Sequence, residues 1–155
     1  PFLTLTGQYR TGLGPKMDVS LRPAIYFIDG GGTRFGAVGD LRFQLLGERE
    51  PIDLSLGPKG AISFGEDVTV FFIGGTLCLG TDLATRGRMI VSPYGSVDLG
   101  YEHISVDVPG DGSDGDFEVH GAVGVVLQFN RNVSMPIELT LDDEIGIIGG
   151  VTYSF

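Results

Sequence analysis

Lysine is nearly missing from this chain, with Lys16 and Lys59 the only two, whereas Lys is among the commonest residues of soluble domains and sits on their surfaces. The 20 acidic residues outnumber the 10 Lys and Arg, leaving a net charge of −10. Such a balance argues against nucleic acid as a partner, because neutralising phosphates takes clustered cations. Cys78 is the single cysteine, so an internal disulfide and a cysteine metal cluster are both excluded. Nowhere does an apolar run approach the ~18 residues of a membrane helix, although hydrophobic residues make up 42% of the chain and the mean hydropathy is +0.21. Apolar material is therefore spread out rather than concentrated. The chain opens Pro-Phe-Leu with no initiator Met or signal peptide, as expected of a processed or trimmed form.

What is abundant points to strands. The 26 Gly and 8 Pro disfavour long helices and suit tight turns and close backbone approach. Alternation at period two runs through the sequence. Met17, Val19, Leu21, Pro23, Ile25 and Phe27 share one face, and Asp18, Ser20, Arg22, Ala24 and Tyr26 the other. The same division separates Phe35, Leu41 and Phe43 from Asp40, Arg42 and Gln44, and Ile52, Leu54 and Leu56 from Asp53, Ser55 and Lys59. Val97, Leu99 and Tyr101 oppose Asp98 and Glu102. Phe117, Val119 and Val123 oppose Glu118 and His120, while Ile137 and Leu139 oppose Glu138. Strand-like segments fall at about 2–10, 17–28, 34–46, 52–65, 68–79, 88–104, 117–129, 133–142 and 145–155. Segment 68–79 is apolar on both faces, with a β-bulge expected at Gly74 and Gly75.

Two architectures give such a pattern. A soluble lipocalin-like, ligand-binding barrel turns the apolar face inward, and a transmembrane barrel turns it outward to lipid. The runs of about 10 to 13 residues are longer than the ~5–6 of soluble strands and close to the ~9–11 that cross a bilayer. The apolar faces carry almost no charge, and the polar faces mix both signs as a small, ion-paired lumen would. Residues 1–155 are therefore expected to form one all-β domain, an antiparallel up-and-down transmembrane β-barrel. Bacterial single-chain barrels have an even strand number, so the nine segments predict eight strands, or ten with one upstream.

The stretch "GVVLQFNRNVSMPIELTLDDEIGIIGGVTYSF" resembles the C-terminal end of small outer-membrane barrels of the OmpA/OmpX-like group. The likeness lies in an aromatic-Asn turn (Phe129, Asn130, Asn132, Val133), a penultimate strand with an acidic tip, and a last strand carrying Gly150, Tyr153 and Phe155. "LTLTGQYR" also resembles a strand of such barrels. The resemblance implies that Tyr153 and Phe155 form the assembly signal read by the barrel-assembly machinery. It also implies outer-membrane lipid and lipopolysaccharide as surroundings. Counting back from the C-terminus places "GLGPK", "LGERE", "GTDLATRG" and "NRN" on the periplasmic side. The acidic set Asp29, Glu66, Asp67, Asp107, Asp111, Asp114, Asp116, Asp142, Asp143 and Glu144 then faces outward.

Candidate chemistry is sparse. Asp107, Asp111, Asp114, Asp116 and Glu118 are dense oxygen ligands, but their spacing is not that of an EF-hand. A solvated loop is the reading, and no metal or cofactor is assigned. His103 and Ser105 share a strand face, as a base and nucleophile would. They are similar to the His-x-Ser pair of lipid A-modifying deacylases, but Val106 follows where that group has Asn, and the face is the lipid side. His120 reads as a lumen hydrogen-bonder. The expected lumen network is Asp18, Arg22, Asp40, Arg42, Asp53, Lys59, Asp98, Glu102, Glu118 and Glu138. Pairing Arg22, Arg42 and Lys59 with these acids plugs an eight-stranded interior, whereas a ten-stranded one leaves a narrow cation-favouring pore. The plugged, non-enzymatic barrel with a structural or surface-interaction role is the leading expectation.

Overall fold

Alternating residues can bury one face only if the sheet packs on another layer or curls onto itself, and this chain has a single sheet. The computed structural model describes residues 2–28, 32–46, 51–65, 68–84, 89–106, 114–141 and 145–154, and every regular element in them is a strand. In chain order these are β1 (Phe2–Gly14), β2 (Met17–Ile28), β3 (Gly32–Leu46), β4 (Asp53–Phe64), β5 (Val68–Gly80), β6 (Leu83–Ala84), β7 (Ile90–Val106), β8 (Asp114–Gln128), β9 (Val133–Leu141) and β10 (Ile145–Ser154). The two-residue β6 lies in the "GTDLATRG" stretch between two expected strands and pairs with Ile90 and Val91. The nine long strands close into a barrel, with β5 pairing β7 and β1 pairing β10.

Closure departs from the expected antiparallel circuit. Each neighbour pair along the chain is antiparallel, but β1 and β10 pair in parallel, from Phe2 opposite Gly146 to Arg10 opposite Ser154. The cause is parity. When direction alternates around a ring of nine, the first and last strands run the same way, and the long strands number nine among the described residues rather than the eight expected without an upstream strand. The bulge expected at Gly74 and Gly75 is also absent, since β5 keeps one register through both glycines against β4 and β7. The register shifts instead between Gly12 and Gly14 of β1 and between Gln44 and Leu46 of β3. Both lie at one end of the barrel, where extra residues sharpen the turn into the next strand.

The two faces separate as the period-two reading requires. Outward side chains are exposed and apolar: Phe117 at 66%, Ile73 at 58% and Val151 at 57%. Inward ones are polar and buried, with Thr4 at 1%, Ser20 at 3% and Asp40 at 4%. Ala24 and Phe72 are the buried hydrophobic residues among those described. A soluble barrel with an apolar ligand cavity needs the reverse arrangement.

Candidate functional site: a salt-bridged lumen

The centre of the lumen follows from strand pairing. Ser20 on β2 lies opposite Asp40 on β3, and period two puts Arg22 and Arg42 on the same inward face, one step along each strand. The Asp40 side chain is fully buried and accepts three partners. Ser20 Oγ donates at 2.5 Å, Arg42 Nε at 2.7 Å and Arg22 Nη2 at 3.3 Å. Both arginine side chains keep about a fifth of their surface exposed (22% and 20%), so two cations share one carboxylate in a partly wet interior. Arg22 Nε is buried without a hydrogen-bond partner.

A second pair crosses from β4 to β7. Lys59 is the register neighbour of Asp40, yet its ammonium bonds Asp98. Gly74 of β5 stands opposite Lys59, and Asp98 stands opposite Thr76, so the pair slants across β5. The same glycine seats an aromatic ring. A Cβ on Gly74 would lie 2.8 Å from Phe72 Cζ, and one on Gly100 would lie 2.6 Å from it. Phe72 therefore lies flat over two glycines and meets His120 edge-on, centroids 5.3 Å apart at 67°. That explains how an apolar residue occupies the inward face of β5, the strand whose alternation fails in the sequence. His120 Nε2 is 3.9 Å from Glu102 Oε2.

The remaining members of the expected network scatter along the barrel axis. Glu138 accepts a 2.6 Å hydrogen bond from Tyr94 Oη. Asp18 sits near the rim and holds Arg10 through two bonds of 2.9 and 2.7 Å. Asp53, also at the rim, accepts from Gln44 at 3.2 Å rather than from a cation. Glu118 is half-buried on the inward face of β8, opposite Gly100. The expected single network is thus three clusters: Arg22, Asp40 and Arg42, then Lys59 and Asp98, then Glu102 and His120. Asp18, Asp53 and Glu138 are each satisfied separately.

Sequence reasoning omitted Ser20, Tyr94, Phe72 and Arg10 from the site. For Phe72 the signal was present as an inward aromatic two residues before a glycine. Tyr94 is held by its hydroxyl, and Tyr94→Phe is expected to lower unfolding stability by about 1.5 kcal/mol, because Glu138 loses a charge-assisted bond in a half-buried place. A urea titration of the folded fraction measures it, and an unchanged midpoint would mean that the bond contributes nothing.

His103 and Ser105 sit on the outward face of β7, opposite Phe71 and Thr69 of β5. Among the described residues no three His, Cys, Asp or Glu converge on a metal position. Asp114 and Asp116 are exposed on β8, while Asp107 and Asp111 lie outside the described residues. So do Asp29, Glu66, Asp67, Asp142, Asp143, Glu144 and Phe155. Tyr153 is on the outward face and 47% exposed. The aromatic-Asn turn is formed, with Asn130 Oδ1 accepting from the backbone N–H of Asn132 and of Val133, each at 2.9 Å. No family profile matches the chain, and no curated protein or solved structure is significantly similar to it.

Proposed function

We propose that the chain is an integral outer-membrane β-barrel, of the kind its last residues resemble, whose lumen is plugged by its own side chains. Its role is structural or interactive, through the acidic end, and not catalytic. The observation that carries this is the inside-out distribution of polarity. Large apolar side chains cover the outside, while Thr4, Ser20 and Asp40 are buried inside. In water such an exterior is an aggregation surface, whereas in lipid it is the favourable solvent contact. The long strands run from 9 to 17 residues, enough to cross a hydrocarbon core that needs ~9–11.

On this reading the end of the barrel where β2, β4, β7 and β9 finish, with Asp114 and Asp116 exposed beside it on β8, faces outward beside lipopolysaccharide. The opposite mouth is periplasmic. Tyr153 and Phe155 then serve the barrel-assembly machinery. A narrow cation path is the second reading. It is favoured by the inward column of Asp116, Glu118 and Glu102 leading from the acidic mouth toward the Lys59–Asp98 pair.

Purification and planar-bilayer recording test both. Expected are detergent dependence, partition into phospholipid vesicles, a gel mobility that changes on heating, and little steady conductance. A stable, monodisperse monomer in plain buffer would sink the membrane reading. A large, steady, cation-selective conductance would replace the plug with the pore.

A further inference from the structure

Histidine is the side chain that ordinarily changes charge between about pH 5 and pH 8. His120 is the histidine inside the barrel, while His103, the other one in the chain, points outward. Acidic groups surround it. On β7, Asp98 stands directly opposite His120 in register, and Glu102 Oε2 is 3.9 Å from its Nε2. Glu118 shares the inward face of β8 with His120, and Asp116, opposite Glu102, lies nearer the rim. β5 brings the uncharged Phe72, whose ring meets the imidazole edge-on. The described part of β9 brings Thr140, opposite Ala122, whereas Glu138 further along is held by Tyr94 and Asp142 lies outside the described residues. Lys59 of β4 reaches this group through Asp98 Oδ2, and Arg22 and Arg42 are engaged at Asp40. Asp98 is 8% exposed, and its Oδ1 is buried with no hydrogen-bond partner.

We propose that His120 is a proton-operated latch on the lumen, which in mild acid ties β8 to both Glu102 and Asp98 of β7 and in mild alkali lets go. A neutral imidazole has one N–H to donate, whereas an imidazolium has two. The acceptors for both are in place. Glu102 lies beside Nε2, and the stranded Asp98 Oδ1 belongs to the residue directly opposite, where Cβ atoms of a cross-strand pair lie about 5 Å apart. The charge balance points the same way. With the imidazole neutral, Lys59 is the cation set against Asp98, Glu102 and Glu118 among the described residues, and a proton taken up by His120 reduces that excess. Phe72, seated over Gly74 and Gly100, packs against the imidazole and restricts how the ring can turn. The His120 and Glu102 side chains each keep 25% of their surface exposed, so lumen water delivers the proton. Because the folded barrel offers the imidazolium two acceptors that the unfolded chain does not, folding becomes more favourable as the pH falls through the histidine range. The inference rests on the lumen geometry, so it stands whatever covers the outer face.

Urea unfolding across the histidine range tests it. A His103→Gln parent leaves His120 as the only histidine, and it is compared with the same protein carrying His120→Gln or Glu102→Gln. Expected is a folding constant that rises, relative to His120→Gln, by at least about threefold from the alkaline to the acid end of the range, the scale of a partly exposed ion pair. Glu102→Gln should lose most of that rise, since it keeps the shape of the side chain and removes its charge. NMR of the parent's single imidazole gives a readout that needs no substitution in the lumen, and its contacts to Glu102 and Asp98 should strengthen as the pH falls. Parallel pH profiles for the parent and His120→Gln, a rise left intact by Glu102→Gln, or imidazole contacts that do not change with pH would each overturn the proposal.

Discussion

Asp40→Ala is expected to destabilise the barrel by about 3 kcal/mol, the lower end of the range for breaking a buried ion pair. The substitution removes the one carboxylate that Arg22 and Arg42 share, and it leaves Ser20 Oγ without its acceptor. Two guanidiniums on neighbouring strands then lose the carboxylate between them. Their remaining exposure, about a fifth of each side chain, lets water offset part of the cost, which is why the upper end of the range is not expected. A control separates charge imbalance from lost packing. Replacing Asp40 with Leu together with Arg22→Met and Arg42→Met removes the pair without stranding either charge, and such exchanges are often neutral or stabilising. The two variants should therefore differ by several-fold in urea midpoint shift, read as the folded fraction on unheated gels. On the plugged-lumen reading Asp40→Ala should also give intermittent conductance that the triple variant lacks. A single variant as stable as the parent would show that the Asp40 cluster does not hold the interior together.

The strands were legible because period two is a local property. Leu21 and Phe35 point outward, and Ser20, Arg22 and Asp40 inward, for no reason beyond the pleat. The limits of the strands were less so. β1 runs on to Gly14, past the register shift between Gly12 and Gly14, because its hairpin needs only Pro15 and Lys16 between Gly14 and Met17. Which carboxylate each cation takes was not legible. Lys59 stands directly opposite Asp40 in register but bonds Asp98, 39 residues away, because the two arginines already occupy Asp40. Choosing between those carboxylates requires knowing that β4, β5 and β7 are neighbours. Closure was beyond reach for the same reason. The wall between β1 and β10 depends on the number of strands in the ring, which no single window of sequence contains.

Leu99→Arg is the substitution whose cost depends most on what surrounds the barrel. Leu99 lies near the middle of β7, between Gly75 of β5 and Val119 of β8, points outward, and is 49% exposed. On a water-facing surface a change at such a site falls within about ±0.5 kcal/mol. If the outer face lies in lipid, a guanidinium at mid-depth costs about 2–4 kcal/mol, falling to about 0–1 kcal/mol near the interface. Ser105, on the same outward face six residues further along and close to the acidic mouth, supplies the shallow reference. Both variants keep the lumen intact, so the Asp40 and Asp98 clusters do not enter the comparison. Unfolding measured in phospholipid vesicles should place Leu99→Arg well below Ser105→Arg in stability, with the gap narrowing in detergent micelles, where the added side chain reaches water more easily. Equal costs at the two depths would mean that the apolar exterior is not solvated by a bilayer, and the face would then have to be covered by protein.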